Sequence, residues 1–341
     1  MNITYLIGNG FDINIGMATR YTDFYKTYIN EGPVNPELTP HGQNLIRELK
    51  KHLSDEGNYD YWSDLELALG DYVKTVKSVD DFDIIFDNIS SSLVQYLTEK
   101  EKEFSFDNID KNKLFDDLRF PEKHLPEGES SLLKVLKNEN EDWSIDIITF
   151  NYTSSLEKII DFQEFPITLG DHNNNFLAYG STMRSISHIH GELTNGTILG
   201  VNDTSQINNE KLKEDIDFLS MFVKPTINRE LRRLIDKTSF DLIESSDLTC
   251  LFGVSIGDTD KIWWEKVGEM LVRRSSYRII IFEKGTPLSP SQIFKRPRIE
   301  RRIRERFLSK TKIPKAKWDT IAERISIGYN TDMFNLKRSL S

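Results

Sequence analysis

Cysteine is nearly absent from the sequence, which has only Cys250 among its 341 residues. A disulfide within the chain needs two cysteines, and a multi-cysteine zinc site needs more, so both are excluded. Cys250 lies inside an apolar run, where a free cysteine is typical of a packed and chemically inert core position.

Long hydrophobic runs are also missing. No apolar run approaches the ~20 residues that a membrane-spanning helix needs. The start of the chain, Met1-Asn2-Ile3-Thr4-Tyr5, lacks the basic and apolar regions of a signal peptide. We therefore expect the cytoplasm as the compartment and no membrane partner. The composition, 38% hydrophobic and 29% charged, is that of an ordinary globular protein, and we expect one domain over residues 1–341.

Positive charge is scarce outside one segment. The chain has 44 Lys and Arg against 54 Asp and Glu, a net charge of −10, yet residues 284–317 hold twelve basic and two acidic residues. Such a surface can attract nucleic acid, and residues 295–317 keep a nucleic-acid-acting function open. Ile299, Ile303 and Phe307 recur at four-residue spacing, which predicts an amphipathic helix with solvated arginines. We expect the basic segment 284–341 to pack on the domain.

Compact apolar runs alternate with helical patterns along the chain. This alternation predicts an α/β fold with a mostly parallel sheet and helices on both faces. The predicted strands are Ile3–Ile7, Ile145–Phe150, Ile186–His190, Thr197–Val201, Leu248–Val254 and Tyr277–Phe282.

Residues 41–125 have no comparable strand pattern, and we predict a helical insertion there. Residues 103–141 within and beyond it are polar and predict long loops or one short helix. Further helices are predicted around 207–221, 225–238 and 261–273. The apolar residues at helical spacing in the insertion are Leu45, Ile46, Leu49, Leu53, Trp62, Leu65, Leu69, Val73, Ile84, Ile85, Ile89, Leu93 and Leu97.

Four predicted strands end in small or polar residues. In a parallel sheet the ligand binds at the carboxyl ends of the strands, so these four segments are expected to meet at one edge. The segments are Gly8-Asn9-Gly10-Phe11-Asp12, Asn151-Tyr152, His190-Gly191 and Gly253-Val254-Ser255.

Each of these segments has a functional and a purely structural interpretation. Glycines after the first strand allow backbone N–H groups to approach a phosphate, or they form only a turn. Asn151 can hydrogen-bond ribose hydroxyls or cap a helix. His190, followed by glycine, suits a general base or a structural histidine. His188 lies on the same face of the predicted strand as His190, and two histidines at this spacing are only a weak indication of a metal site.

Taken in order, several motifs resemble the AbiH family, whose members are associated with bacterial abortive infection of phage. AbiH proteins in turn resemble the sirtuin-like superfamily of Rossmann-type NAD-binding domains. The motifs are Leu6-Ile7-Gly8-Asn9-Gly10-Phe11-Asp12, Tyr21-Thr22-Asp23-Phe24, Thr149-Phe150-Asn151-Tyr152-Thr153, His188-Ile189-His190-Gly191 and Gly253-Val254-Ser255-Ile256-Gly257-Asp258-Thr259-Asp260.

The resemblance implies catalytic and binding residues. Asn151 and His190 match the catalytic asparagine and histidine of the sirtuin-like pattern, whereas Thr153 stands where an aspartate is usual. The segment Gly8 to Phe11 would line the phosphate–ribose part of the site, with Asp12 as a secondary polar residue. Gly253 and Ser255 would flank the adenosine. No metal is implied, and a sirtuin deacylase zinc module is impossible with one cysteine.

The implied function is an anti-phage effector that hydrolyses NAD, its substrate, at the nicotinamide–ribose bond. Three alternatives stay open at this point: a non-catalytic nucleotide-binding sensor, a nucleic-acid-acting effector, and a structural partner of another defence protein. A phage-derived trigger and a homo-oligomer are further possible partners.

Overall fold

The computed structural model describes residues 1–30, 37–54, 64–173 and 179–338, and within them a seven-stranded sheet is the centre of the fold. A separate two-stranded hairpin lies beside it. The strands are β1 (Asn2–Ile7), β2 (Trp143–Thr149), β3 (Ile167–Asn173), β4 (Tyr179–His188), β5 (Gly191–Glu192), β6 (Gly196–Thr197), β7 (Leu248–Phe252), β8 (Arg278–Glu283) and β9 (Ile325–Tyr329).

The sheet has the order β3-β4-β2-β1-β7-β8-β9. Strands β4, β2, β1, β7, β8 and β9 are parallel, and β3 pairs antiparallel with β4 at one edge. This confirms the predicted α/β fold with a mostly parallel sheet. After β1 the chain builds strands on one side of it, and from β7 onward it builds them on the other, so the direction of winding reverses between β1 and β7.

Helices cover both faces of the sheet, and a further group of helices forms a core of its own. In chain order they are α1 (Gly10–Ile15), α2 (Tyr21–Asn30), α3 (Pro40–Ser54), α4 (Leu65–Tyr72), α5 (Val79–Glu103), α6 (Lys111–Arg119), α7 (Glu127–Leu136), α8 (Ser155–Ile160), α9 (Ile216–Phe222), α10 (Lys224–Glu230), α11 (Ile235–Ser245), α12 (Lys261–Arg273), α13 (Arg296–Ser309) and α14 (Trp318–Ala322). No helix within the described ranges is both long and apolar enough to cross a bilayer.

The alternation of side chains along β1 supplies both cores of the sheet. Ile3, Tyr5 and Ile7 enter a core that helices α1, α6, α7 and α8 cover. Leu6 enters the opposite core beneath α11, α12, α13 and α14. Burial on both faces explains why β1 is an almost continuous apolar run rather than an alternating one.

A third core lies among the helices between β1 and β2 together with α9, which follows β6 in the chain. Helices α2, α3, α4, α5 and α9 bury a largely aromatic and leucine-rich cluster, in which Phe82 packs against Phe218 and Phe222. The predicted Leu65, Leu69 and Val73 are buried in it, which confirms their helical spacing as a core pattern. Trp62 lies outside the described residues.

Several boundaries differ from the sequence predictions. Residues 103–141 contain two helices, α6 and α7, because Leu114 and Leu118 four residues apart bury one face of a mostly polar segment. Thr197–Val201 is not a strand: β6 stops at Thr197, and Gly200 has a φ of +154° that turns the chain. The predicted helix 207–221 is reduced to α9, and the predicted helix 225–238 is divided into α10 and α11.

Two edge strands, β3 and β9, were not predicted from the sequence. β3 is polar and contains Gly170, so its pattern does not stand out. β9 lies beyond the basic residues 284–317, in a stretch where no strand is predicted from the sequence. Beyond it Phe334 is fully buried between Phe11 and Phe252, with ring centroids 5.5 and 4.8 Å away.

Candidate functional site

A cavity of about 600 Å³ opens at the carboxyl ends of the parallel strands. It lies where the winding reverses, between the loops after β1 and β7, and the residue after the end of β2, Phe150, also lines it. Six of the sequence-predicted residues line this cavity, as the convergence of the strand ends predicts; they are Gly8, Asn9, Gly10, His190, Gly253 and Ser255.

The two glycine loops contact each other directly. Gly8 N donates to Phe252 O and Gly10 N donates to Gly253 O, both at 2.9 Å. A Cβ on Gly10 would lie 2.4 Å from Gly253 Cα, and Gly253 itself has a φ of +66°. Glycine is therefore required at both positions by the approach of two backbones. Phe11 N also donates internally, to Gly8 O at 2.9 Å, so a phosphate could reach these three donors only by displacing a carbonyl.

Phe11 and Asp12 are buried beneath the loop and do not belong to the cavity lining. Asp12 accepts hydrogen bonds from Thr153 Oγ1 at 2.6 Å and Ser155 Oγ at 2.5 Å. Burial raises the pKa of Asp12 to about 6, although the two hydroxyl donors oppose that shift. The hydroxyl of Thr153 thus faces a carboxylate from the first loop.

The Asn151 side chain is buried next to Asp12 rather than in the cavity lining. Its backbone carbonyl contacts His188 Nδ1 at 2.9 Å. Its amide has no hydrogen-bond partner in bonding geometry among the described residues, although it is close enough to help lower the pKa of Asp12. A buried amide without partners needs water or a ligand group to satisfy it.

His190 forms part of the cavity wall. Its Nε2 lies 3.0 Å from Asp260 Oδ1, and its ring packs edge-on against Phe150, with centroids 5.5 Å apart. Burial and the positive charge of Lys224 together lower the pKa of His190, despite the opposing effect of Asp260. The imidazole is therefore neutral near pH 7 and can accept a proton.

His188 has a separate environment, away from the cavity. Its Nε2 lies 2.8 Å from Glu157 Oε1. Burial lowers the pKa of His188, but the hydrogen bond and charge of Glu157 outweigh it and leave the pKa raised. Each histidine thus has its own carboxylate, and the two rings do not share a ligand position.

Behind His190 lies a group that we call the charge cluster: Glu66, His190, Lys224 and Asp260. Lys224 Nζ contacts Glu66 Oε2 at 2.6 Å, Asp260 Oδ1 at 2.9 Å and His190 Nε2 at 3.3 Å. Burial alone would lower the pKa of Lys224, but Asp260 and Glu66 raise it above its usual value. The lysine is therefore charged and holds the other three side chains in place.

The two carboxylates of the charge cluster respond differently to their surroundings. Burial acts against the charged form of Asp260, but Lys224 and His190 hold its pKa well below the usual range. Burial raises the pKa of Glu66 to about 8, and the charges of Asp260 and Asp64 add to that effect while Lys224 opposes it. Asp64 also lines the cavity, so the wall has more carboxylates than cations.

Glu66 and Lys224 were missed by sequence reasoning. The available signal was a charged residue within an apolar stretch, Leu65-Glu66-Leu67-Ala68-Leu69 in one case and Met221-Phe222-Val223-Lys224 in the other. Charged residues are almost never fully buried unless they are paired. In the sequence Asp260 stands out only as the last residue of the motif that begins at Gly253, with no role of its own.

Two cations line the cavity on the side of α1. Lys284 Nζ hydrogen-bonds to Asn14 Oδ1, on that helix. The side chain of Asn9 bonds both the backbone and the hydroxyl of Thr19, and so fixes the segment before Arg20. Arg20 is exposed and lines the cavity, and its guanidinium makes no hydrogen bond or ion pair with the other described residues.

The basic segment is less positive at its surface than its composition indicates. Ile303 and Phe307 of α13 are buried, which confirms the amphipathic helix. Within residues 284–317, five basic residues pair with carboxylates within 4 Å; they are Arg296, Arg304, Arg306, Lys310 and Lys312. Nucleic-acid binding by residues 295–317 stays a prediction, now resting on fewer free charges.

Comparison with known proteins gives a family but no individual relative. The family model described as "Bacteriophage abortive infection AbiH" matches residues 4–282, which is most of the chain. The matched range includes the glycine loops and the whole charge cluster. No curated protein matches the chain.

Proposed function

We propose that this chain, which belongs to the AbiH family, is an abortive-infection effector that hydrolyses NAD at the nicotinamide–ribose bond. Family membership implies the role in bacteriophage abortive infection; the reaction is our proposal. The observation that carries it is His190, neutral and held by Asp260, in the wall of the cavity where the parallel sheet reverses its winding.

The position and size of the cavity support a nucleotide substrate. Ligands of open parallel sheets bind at the carboxyl ends of strands where the winding reverses, as in Rossmann-like dinucleotide-binding domains. A volume of about 600 Å³ lies within the usual range for small-molecule sites. Phe150 and Trp264 stack at 5.5 Å in the wall and offer an apolar surface for a base.

The reaction needs a positively charged transition state to be stabilised. When the C1′–N bond breaks, its electron pair goes to the pyridine nitrogen, and positive charge develops on the ribose. The negatively charged carboxylates of the wall around Asp260 stabilise that positive charge. Water then bonds to C1′ and gives its proton to His190, which its neutral state allows. In this proposal the Asn151 amide, buried beside Asp12 outside the lining, orients the attacking water rather than contacting the ribose directly.

The remaining parts of NAD can be assigned from the cavity lining. Because the N–H groups of Gly8, Gly10 and Phe11 are already bonded, the glycine loop contributes space for the ribose and phosphates rather than donors. Arg20 is the unpaired guanidinium available to the phosphates. Gly253 and Ser255 remain on the adenosine side. The resemblance of Asn151 and His190 to the sirtuin-like pattern supports the same substrate.

The test compares NAD content in bacteria before and after phage challenge. The strains express the wild type, Asn151→Ala or His190→Ala. His172→Ala is the matched control, because His172 is hydrogen-bonded to Glu141 O and stacked on Trp143, and it does not line the cavity.

We expect NAD to collapse after challenge in the wild type and in His172→Ala, and to persist in the other two strains. Steady NAD in the wild type, with protection that still depends on His190, would remove hydrolysis and favour a nucleotide-binding sensor. Protection that depends instead on Arg298, Arg301 and Arg302, which are outside the cavity, would favour action on nucleic acid.

A further inference from the structure

Glu66 lies in the candidate site although it belongs to α4, one of the helices that form the third core. It lies on α4, between β1 and β2 in the chain, and is 5% exposed, yet it lines the cavity together with His190. Its Oε1 accepts the backbone N–H of Gly200 at 3.1 Å and its Oε2 contacts Lys224 at 2.6 Å. Both oxygens are thus fixed, and the carboxylate has one orientation.

A structural ion pair does not account for this arrangement. Lys224 already has a carboxylate partner in Asp260, 2.9 Å away, so Glu66 is a second carboxylate on one lysine. Burying an extra carboxylate is costly unless something compensates it. The described residues also include a buried ion pair in which the lysine has one carboxylate partner, Lys137 with Glu122, at 2.9 Å and away from the cavity. Two carboxyl groups on one buried lysine are therefore a feature of the cavity wall that the Lys137 pair does not share.

We propose that Glu66 is a catalytic carboxylate that faces the ribose C1′ and stabilises the positive charge that develops there, while Lys224 positions it beside His190. This inference rests on the proposed hydrolysis of NAD. In the step, the C1′–N electron pair leaves with neutral nicotinamide, the water oxygen bonds to C1′, and the water proton passes to His190. Glu66 acts in its ionised form, which its raised pKa of about 8 leaves as the smaller fraction near pH 7, and it neither gains nor loses a proton in the step. The products are nicotinamide, ADP-ribose and one proton.

Helix α4 then has a catalytic task. Asp64, the N-cap residue of α4, accepts the N–H of Leu67 at 3.1 Å and faces Thr259 Oγ1 at 3.4 Å. These contacts join the start of α4 to the loop after β7, next to Asp260. The start of α4, and Glu66 with it, is thereby held against the loop that carries Asp260.

The test uses Glu66→Gln, which keeps the shape and removes the negative charge. Glu122→Gln is the matched control, since it removes the same charge from the other buried lysine pair. NAD consumption is measured in challenged bacteria, with protein amounts compared by immunoblot. Thermal unfolding and ADP-ribose binding of the purified variants show whether the fold and the cavity survive.

Above about pH 8, where the Glu66 carboxylate is formed, we expect Glu66→Gln lysates to consume NAD about 100-fold more slowly than the wild type, the scale for losing one electrostatic stabiliser. The difference should narrow near pH 7, and ADP-ribose affinity should stay within about threefold of wild type. Glu122→Gln should consume NAD like the wild type. Steady NAD in the wild type would overturn the proposed function itself, and this inference with it. Normal consumption by Glu66→Gln in cells where the wild type is active would overturn this inference alone.

A pH profile separates catalysis from support. In lysates of challenged cells, wild-type NAD cleavage should rise towards about pH 8 as the Glu66 carboxylate forms, because its pKa is raised to that region. Glu66→Gln should lack this rise. A purely structural role predicts a profile of unchanged shape at lower amplitude, and that result would contradict the proposal.

Discussion

Gly10 and Gly253 meet backbone to backbone at the mouth of the cavity, with Gly10 N donating to Gly253 O at 2.9 Å. A methyl group on either residue would enter the other's main chain, at 2.4 Å from one side and 2.7 Å from the other. The contact closes the point where the sheet reverses its winding, so its geometry determines the shape of the site.

Gly10→Ala should therefore damage both stability and the site. We expect a loss of about 1–3 kcal/mol in the free energy of unfolding, the cost of overpacking a tight contact, and weaker NAD binding. Urea unfolding and calorimetric titration measure the two effects. Gly128→Ala is the control, because a Cβ there meets nothing within 4 Å. Equal stability of Gly10→Ala and wild type would mean that the two loops separate readily.

The pKa of Asp12 predicts a pH-dependent stability. The native carboxyl has a pKa of about 6 against an ordinary 3.8, so the folded state binds the proton more tightly than the unfolded state. This stabilisation is fully present below pH 3.8 and is lost as pH rises through about 6. Relative to Asp12→Asn, the wild type should lose about 2 kcal/mol between about pH 4.5 and about pH 7.5.

Unfolding free energies of the two proteins across this range provide the measurement. Asp203→Asn is the control: burial acts to raise the pKa of Asp203, but hydrogen bonds from Ser205 and Asn202 keep it below the usual value. The difference between wild type and Asp203→Asn should thus stay flat in the same window. A flat difference for Asp12→Asn as well would show that its carboxyl is not raised.

Arg20→Ala should weaken nucleotide binding through the phosphates. A hydrogen bond to a charged group contributes about 1.5–3 kcal/mol, so the Kd for ADP-ribose should rise roughly 10- to 100-fold. The Kd for ribose-containing ligands without phosphate should not change. Arg301→Ala, another exposed arginine outside the cavity lining, is the control. An unchanged Kd for ADP-ribose would assign the phosphates to another part of the cavity.

Lys224→Met should raise the pKa of His190. Burial and the lysine charge both lower that pKa in the wild type, and removing the lysine leaves Asp260 to favour the imidazolium. Nuclear magnetic resonance of the imidazole nitrogens follows the titration. Lys137→Met, at the other buried lysine, should leave His190 unchanged, since Lys137 pairs with Glu122 outside the cavity. A lower or equal His190 pKa in Lys224→Met would contradict the electrostatic account of the charge cluster.

The sequence predicts the central part of the fold well because its signal is local. The apolar run Ile3–Ile7 followed by glycines defines both β1 and the loop after it, and parallel pairing then brings His190 to the same edge. The edge strands β3 and β9 lack such a signal, since one is polar with Gly170 and the other follows a basic helix. Whether an edge strand forms depends on side-chain packing against the neighbouring strand more than on its own sequence pattern.

The site is only partly predictable for a similar reason. Gly8, Gly10 and His190 follow strands directly, so their convergence can be inferred from topology. Glu66 and Lys224 lie on helices, 124 and 34 residues away from His190 in the sequence. No local sequence pattern connects them to His190. The orientations of Phe11 and Asp12 also depend on tertiary packing, which places them beneath the loop.

The insertion of Phe334 between Phe11 and Phe252 has a consequence for how the chain can be divided. The family match stops at residue 282, one position before β8 ends. The part of the chain beyond it supplies the strand that pairs with β8 and the ring that supports the first glycine loop from below. A fragment cut at the limit of recognisable similarity would expose an unpaired sheet edge and an open aromatic core. The unit that folds is therefore larger than the matched range.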